Sequence, residues 1–144
     1  MAGNEATAQV TVRAPAAQVW RALTDPDLIA RYMFGSQVVT DWQVGSPIAW
    51  KGEYEGRSYE DKGEVLEVQA ERRLSVTHFS PMTGQEDVPE NYHRVTYDLT
   101  EDGAGTTVRL TQDNAGSEEE AAHSSQNWQM MLDGLKRVVE EDAG

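Results

Sequence analysis

The sequence contains no cysteine and no apolar run near the roughly 18 to 20 residues that a membrane-spanning helix needs. The missing cysteine excludes disulfides, thiolate zinc sites, cysteine nucleophiles and thiol redox chemistry. Basic residues are scarce, because 12 Lys and Arg stand against 25 Asp and Glu, a formal net charge of −13. This negative charge repels nucleic-acid phosphates and anionic membrane surfaces. We therefore expect no nucleic-acid partner, no membrane span and a cytoplasmic location.

The 144 residues are enough for one domain with its own core. No internal repeat or low-complexity linker divides the chain. We therefore predict a single domain over residues 1–144, with its core over about 7–141.

The first forty residues predict a strand followed by two short helices. Polar and apolar residues alternate from Thr7 to Ala14, as in a half-buried strand. Pro15 suits the first turn of a helix that runs to about Leu23. Asp25 is then the predicted N-cap of a second helix, with a proline at its first position and a stop at Gly35.

The middle of the chain predicts six further strands separated by turns. The polar stretch Glu53–Asp61 is predicted to contain a hairpin turn at its glycine, and Ser80–Asn91 is a candidate mobile flap. The predicted strands are Val38–Trp42, Ile48–Tyr54, Gly63–Gln69, Leu74–Phe79, His93–Thr100 and Thr106–Asp113.

The end of the chain predicts one long amphipathic helix from Glu118 to about Glu141. Ser117 and Glu120 form a capping box at its start. Gly134 weakens its interior unless another element packs closely there. An antiparallel sheet needs one face covered, and only this helix is long enough to cover it. The predicted fold class is α+β, with a curved antiparallel sheet wrapped around the C-terminal helix and the two short helices at one end.

This order of elements, with several short motifs, resembles the START-like SRPBCC superfamily, whose shape is called a helix-grip. Within it, the sequence is most similar to homologues of the activator of the ninety-kilodalton heat-shock protein ATPase. The resemblance covers about residues 7–141. It is carried by Ala14–Pro26 (APAAQVWRALTDP), Val44–Gly45, Gly63–Val68 (GEVLEV), Arg73–Leu74, Gly105–Val108 (GTTV) and Trp128.

The resemblance implies a cavity between the sheet and the long helix. It also implies two further activities found among relatives, cyclase or dehydratase chemistry on polyketides and interaction with a chaperone. The sequence departs from the branch after the second helix, where Tyr32, Met33 and Phe34 replace an aromatic pair and are expected to reshape the cavity mouth. The chain has no room for the separate chaperone-binding domain of the eukaryotic activator, so chaperone stimulation is not carried over.

The strand alternation predicts which side chains line that cavity, a mostly apolar set with a few polar groups. Core packing is the alternative for each of them. The residues predicted to bind a ligand are Met33, Phe34, Trp50, Tyr54, Val76, His78, Tyr97, Trp128, Met131 and Leu135. The remaining predicted lining residues are Ile48, Leu74, Val95, Leu99, Val108, Leu110, Gln112 and Leu132.

His78 is the most informative single residue, because an inward-facing imidazole can orient a ligand hydroxyl or transfer a proton. The alternative is a partly buried histidine whose hydrogen bond is satisfied by a neighbouring tyrosine. The three histidines are scattered, so no metal site is expected. The run Tyr59-Glu60-Asp61 with Glu64 could include a buried carboxylate, and the alternative is a solvated strand edge, where such residues are common.

The function predicted from these observations is the binding of an apolar or aromatic, lipid- or polyketide-like molecule between sheet and helix. Tyr54, His78 and Tyr97 are expected to orient this hydrophobic small molecule, with no cofactor and no catalytic residues. Two alternatives stay open: a cyclase- or dehydratase-like enzyme that uses the same cavity, and a chaperone-interacting module that uses the acidic surface.

Overall fold

The structure is a computed structural model that describes residues 4–33, 35–54, 56–81 and 84–143. In chain order the elements are β1 (Asn4–Val12), α1 (Ala16–Thr24), α2 (Pro26–Tyr32), β2 (Gln37–Val39), β3 (Pro47–Tyr54), β4 (Arg57–Gln69), β5 (Arg73–His78), a 3-10 helix (Pro89–Asn91), β6 (His93–Asp102), β7 (Gly105–Ala115) and α3 (Glu118–Ala143). The strands form one antiparallel sheet in the order β1-β7-β6-β5-β4-β3-β2. This architecture confirms the predicted α+β helix-grip fold.

The helix boundaries follow from capping groups that the sequence displays. Oδ1 of Asp25 accepts hydrogen bonds from the amides of Asp27 (2.9 Å) and Leu28 (3.4 Å), which fixes the start of α2 as predicted. At the start of α3, Ser117 Oγ accepts from the amide of Glu120 at 3.1 Å. The carboxylate of Glu120 reaches back to the amide of Gly116 at 2.9 Å, one residue before the expected N-cap amide.

Gly134 allows α3 to pack closely against α2. A Cβ atom at this position would lie 3.2 Å from Cβ of Tyr32. Glycine has a low helical propensity, but at this position its missing side chain allows the two helices to approach closely.

The edge strand β1 is covered by side chains of α3. Gln129 donates to the carbonyl of Gln9 at 3.0 Å, and Lys136 donates to the carbonyl of Thr11 at 3.0 Å. Glu140 accepts from the amide of Arg13 at 2.9 Å, just beyond the strand. These bonds satisfy backbone groups that an edge strand otherwise presents to other chains. They also fix α3 over the β1 side of the sheet.

Near the β2 end of the sheet, two predicted strand boundaries are wrong. The predicted strand Val38–Trp42 ends at Val39, and Trp42 has a positive φ of 59° that a strand cannot hold. The predicted strand Gly63–Gln69 begins six residues earlier, at Arg57. The hairpin turn is therefore tight, and Tyr59 to Asp61 belong to a strand.

The core lies where α1, α2 and α3 meet the β1 half of the sheet. Its completely or almost completely buried apolar side chains are Val12, Val19, Val65, Val95, Val108, Leu110, Leu132 and Leu135. Among the described residues, no helix combines the length and apolarity needed to cross a bilayer. The assignment of residues 1–144 to one domain stays a prediction, as does the cytoplasmic location.

Candidate functional site: a cleft between the sheet and the long helix

A cleft of about 600 Å³ lies between α3 and the strands on the far side of the sheet from β1. Because α3 packs against β1, β7 and the two short helices, the inner faces of β3 to β6 stay partly uncovered. The cleft is lined by Met33, Ser36, Trp50, Glu53, Tyr59, Asp61, Val76, His78, Ser80, Val95, Tyr97, Gln112, Ser124, Asn127, Trp128 and Met131. Its volume falls in the range of small-molecule sites, roughly 300 to 1,000 Å³.

The base of the cleft is apolar because alternate residues of neighbouring strands point to the same face. Val76 and Val95 are directly paired across β5 and β6, and both are nearly fully buried. Tyr97 lies two residues further along β6 on the same face. Burial raises the pKa of the Tyr97 phenol above its ordinary value of 10.0, so the phenol stays neutral at physiological pH. Met131 closes the base from α3.

A histidine–carboxylate pair forms one wall of the cleft. Nε2 of His78 lies 2.9 Å from Oδ2 of Asp61, and the two side chains are 25% and 19% exposed. Because an ionised carboxylate only accepts hydrogen bonds, Nε2 carries a proton, and Nδ1 has a free lone pair whenever the imidazole is neutral. The imidazole also meets the ring of Trp50 in an edge-to-face contact with centroids 5.1 Å apart. These two contacts fix the orientation of the ring.

The carboxylate of Asp61 is only half satisfied within the described residues. Its Oδ1 atom is buried and accepts no hydrogen bond there. A buried acceptor without a donor costs free energy, roughly 1 to 3 kcal/mol. The cleft wall therefore contains an acceptor that a donor would stabilise.

A second polar pair lies next to Asp61 on β4. The hydroxyls of Tyr59 and Ser36 are hydrogen-bonded to each other. The Tyr59 ring lies across Gly52 of the neighbouring strand, where a Cβ atom would stand 2.6 Å from its Cζ atom. Glycine at position 52 is therefore what leaves room for this ring in the wall of the cleft.

The α3 side of the cleft is fixed to the sheet by one hydrogen bond. Nε1 of Trp128 donates to Oε1 of Gln112 on β7 at 2.6 Å. Ser124, one turn earlier on the helix, and Asn127, directly before Trp128, also line the cleft. The indole ring thus faces the cleft with its polar atom already paired.

Seven of the ten residues predicted to bind a ligand line this cleft: Met33, Trp50, Val76, His78, Tyr97, Trp128 and Met131. Leu135 does not, because it is completely buried in the core one turn beyond Met131. Phe34 lies outside the described residues, and so does the side chain of Tyr54. The role of these residues in binding stays a prediction.

Of the other predicted lining residues, Val95 and Gln112 reach the cleft. Those that pack into the core instead are Ile48, Leu74, Leu99, Val108, Leu110 and Leu132. Of the two alternatives for the run from Tyr59 to Asp61, Asp61 fits the buried carboxylate, because it faces the cleft on an internal strand. His78 is paired with this carboxylate and not with a tyrosine.

Sequence reasoning missed Ser36, Glu53, Tyr59, Asp61, Ser80, Ser124 and Asn127 as lining residues. Tyr59 and Asp61 carried a usable signal, since they follow the predicted turn with the spacing of two that places both on one strand face. The polar residues of α3 carried none, because the exposed and cleft-facing sides of a helix end look alike in sequence. Within the described ranges, no three His, Asp or Glu side chains converge as a metal site.

The chain matches one known protein family. The family model described as activator of Hsp90 ATPase homolog 1-like protein matches residues 13–140, which is most of the chain. The chain belongs to this family. The resemblance inferred from the sequence motifs is therefore confirmed.

Solved structures of similar proteins support the same assignment. ChR145 from Cytophaga hutchinsonii is 47% identical, with a TM-score of 0.86 over 99% of this chain and 98% of that one. MLL2253 from Mesorhizobium loti is 21% identical, with a TM-score of 0.77 over 96% and 98%. The Aha1 dimer from Colwellia psychrerythraea is 20% identical, with a TM-score of 0.73 over 98% and 99%. The last two show the shared fold.

A comparison with curated proteins gives no match. Family membership agrees with the helix-grip fold of this chain. Binding of a small molecule stays a prediction, and contact with a chaperone stays an open alternative.

Proposed function

We propose that this activator homologue binds a small, largely aromatic molecule in the cleft between its sheet and α3. The observation that supports the proposal is an accessible space of about 600 Å³ with an apolar base and polar groups on its walls. Burial of an aromatic ligand against Trp50, Tyr97 and Trp128 would supply about 25 cal/mol for each Å² of apolar surface removed from water. The paired groups of the wall would then set the orientation of the ligand.

The test is a titration with naphthalene-2-methanol, a neutral two-ring probe, followed by calorimetry and by thermal unfolding. Binding should raise the melting temperature, because a ligand that binds only the folded state stabilises it. Asn127→Phe places a ring at the cleft-facing side of α3 and should weaken binding by about tenfold or more, since the ring occupies ligand space.

Gln126→Phe is the matched control for this variant. It adds the same ring at the neighbouring exposed position of α3, which does not line the cleft. Equal affinities for Asn127→Phe and Gln126→Phe would place any binding elsewhere. No binding to the wild-type protein by any two-ring aromatic probe would overturn the proposal.

A second candidate function is acid–base catalysis in the same cleft, and the His78–Asp61 pair is the observation that favours it. A carboxylate at 2.9 Å from Nε2 orients the imidazole, and in the neutral ring Nδ1 carries the lone pair that a base needs. Nδ1 makes no hydrogen bond to the described residues. The pair therefore combines a base, the imidazole, with a carboxylate that orients it.

Turnover of a polyketide-like β-diketone would distinguish the enzyme from the binding protein. Under the catalytic hypothesis, His78→Gln abolishes turnover and its pH–rate profile while the variant still binds naphthalene-2-methanol. Binding with no turnover in the wild-type protein would support the binding function alone.

A further inference from the structure

The charges around the cleft are all of one sign apart from a single imidazole. The carboxylate side chains that line it are those of Glu53 and Asp61. His78 is paired with Asp61. The net charge of this pair is therefore zero when the imidazole is protonated and negative when it is neutral. No lysine or arginine is among the lining residues of the described chain. The cleft is therefore negative in either protonation state of His78.

The basic residues that adjoin lining residues within β3, β4 and β6 are placed on the opposite face of the sheet by strand alternation. Arg57 lies on the cleft-facing side of β4, two residues before Tyr59, but it is exposed and does not line the cleft. Lys51 follows Trp50 on β3 and is exposed. Lys62 follows Asp61 on β4 and forms an ion pair with Asp87 of the connection after β5. Arg94 precedes Val95 on β6, and its Nε donates to Ser75 at 3.1 Å. None of the three cations on the opposite face is available to a ligand in the cleft.

We propose that the cleft selects uncharged or cationic aromatic molecules that carry a hydrogen-bond donor, and that it rejects carboxylates. This inference rests on the proposed binding function and specifies its ligand class. An anion in the cleft would lose part of its hydration next to two carboxylates, without a cation to compensate. The net charge of −13 adds a field of the same sign.

The preference for a donor follows from the acceptors on the wall. Oδ1 of Asp61 has no donor among the described residues, and Nδ1 of His78 presents a lone pair. A ligand hydroxyl or ammonium group can donate to such acceptors, whereas a carboxylate cannot. Charge and hydrogen-bonding capacity therefore favour the same ligand class.

The test compares three probes that share one ring system and differ in charge: naphthalene-2-methanol, 2-naphthylmethylamine and 2-naphthoate. Calorimetry at neutral pH and low salt should show naphthoate binding about tenfold or more weakly than the alcohol, because the anion is uncompensated. The amine should bind at least as tightly as the alcohol, and its advantage should shrink at high salt. Naphthoate binding as tightly as the alcohol would overturn the inference.

Matched variants locate the effect. Asp61→Asn removes a carboxylate from the wall and should bring the alcohol and naphthoate affinities to within about threefold of each other. Glu60→Gln removes the same charge from the adjacent, exposed position on the other face of β4, and should leave the ratio unchanged. An equal shift in both variants, or none in Asp61→Asn, would overturn the assignment to this wall.

The outcomes separate this inference from the function on which it rests. If none of the three probes binds, the proposed binding function fails. If the alcohol binds and naphthoate binds equally well, only the charge selection fails.

Discussion

Nε1 of Trp128 donates a 2.6 Å hydrogen bond to Oε1 of Gln112, and this bond joins α3 to β7 at the side of the cleft. Gln112 is 7% exposed, so its amide has little access to water. The bond matters for the cleft because α3 packs mainly on β1, and Trp128 lies where the helix begins to separate from the sheet. Removing the bond should therefore affect the stability of this side of the cleft.

We expect Gln112→Leu to lower the free energy of unfolding by about 1 to 2 kcal/mol, because the indole N–H loses its acceptor in a partly buried site. A double-mutant cycle with Trp128→Phe, followed by urea denaturation, should give a coupling energy of about 1 kcal/mol. The control is Gln126→Leu, at an exposed position of α3, which should change the free energy of unfolding by less than about 0.5 kcal/mol. A coupling energy of zero would show that the bond is energetically silent.

The fold could be predicted from the sequence because its local signals agree with one another. Asp25 and Ser117 act as the caps that their sequence positions indicate, and strand alternation gives the sheet its buried face. The prediction failed where polar residues occupy both faces of a strand, as between Tyr59 and Asp61. Alternation cannot separate a cleft-facing carboxylate from a solvent-facing one, since both are polar.

The position of the cleft along α3 could not be predicted for a different reason. Met131 and Leu135 lie one turn apart on the same helical stripe, yet the first faces the cleft and the second is completely buried in the core. The turn at which the helix leaves the sheet depends on how β1 and the short helices hold it. That is a tertiary property, which helical periodicity does not contain.

Gly63 should tolerate no side chain, because β5 passes directly over it. A Cβ atom there would lie 2.5 Å from the carbonyl carbon of Thr77. The two strands are fixed at this point by reciprocal hydrogen bonds between Lys62 and Phe79, at 3.0 and 2.8 Å. Gly63→Ala should therefore lower the unfolding free energy by about 2 to 3 kcal/mol, measured by urea denaturation.

Gly103→Ala is the control for this prediction. No atom lies within 4 Å of a Cβ built on Gly103, and its backbone lies outside the left-handed region. Its effect on stability should stay within about 0.5 kcal/mol. Similar losses in the two variants would contradict the proposed crowding at Gly63.

The stability of the protein should fall at alkaline pH, partly through Tyr97. Burial raises its pKa above 10.0 in the folded state, so the unfolded chain releases this proton first as the pH rises. The stabilisation by the neutral phenol is complete below about pH 10 and is lost as the pH rises further. Each such group contributes a slope that approaches about 1.4 kcal/mol per pH unit.

Tyr97→Phe should reduce the slope of the unfolding free energy against pH between about pH 10 and 11, because one titrating group is removed. Urea denaturation at a series of pH values measures this slope. At neutral pH the same variant should differ from the wild type by less than about 0.5 kcal/mol, since the Tyr97 hydroxyl makes no hydrogen bond to the described residues. The burial of Tyr32 raises the pKa of its phenol as well, so a slope remains in the variant. Identical slopes in the two proteins would refute the role of Tyr97.

Asp87 should hold the connection between β5 and β6 against the sheet. Its carboxylate accepts from the Tyr92 hydroxyl at 2.5 Å and forms an ion pair with Lys62. Tyr92 in turn stacks on Phe79, with ring centroids 5.0 Å apart. The hydrogen bonds from Lys62 and Tyr92 lower the pKa of Asp87. The contribution of Asp87 is therefore present above its unfolded pKa, about 3.9, and is lost as the pH falls through the lower folded value.

We expect Asp87→Asn to speed amide hydrogen exchange in the described part of this connection, residues 84–92, without changing exchange in β6 or β7. Glu86→Gln is the matched control, because the Glu86 side chain forms no hydrogen bond or ion pair among the described residues, and its backbone carbonyl accepts from the Asn91 side chain and from the amide of Val88. The Asp87 variant should also lose the acid dependence of this local opening that the wild type shows below about pH 4. Equal exchange in the two variants would mean that stacking of Tyr92 on Phe79 holds the connection without help from the carboxylate.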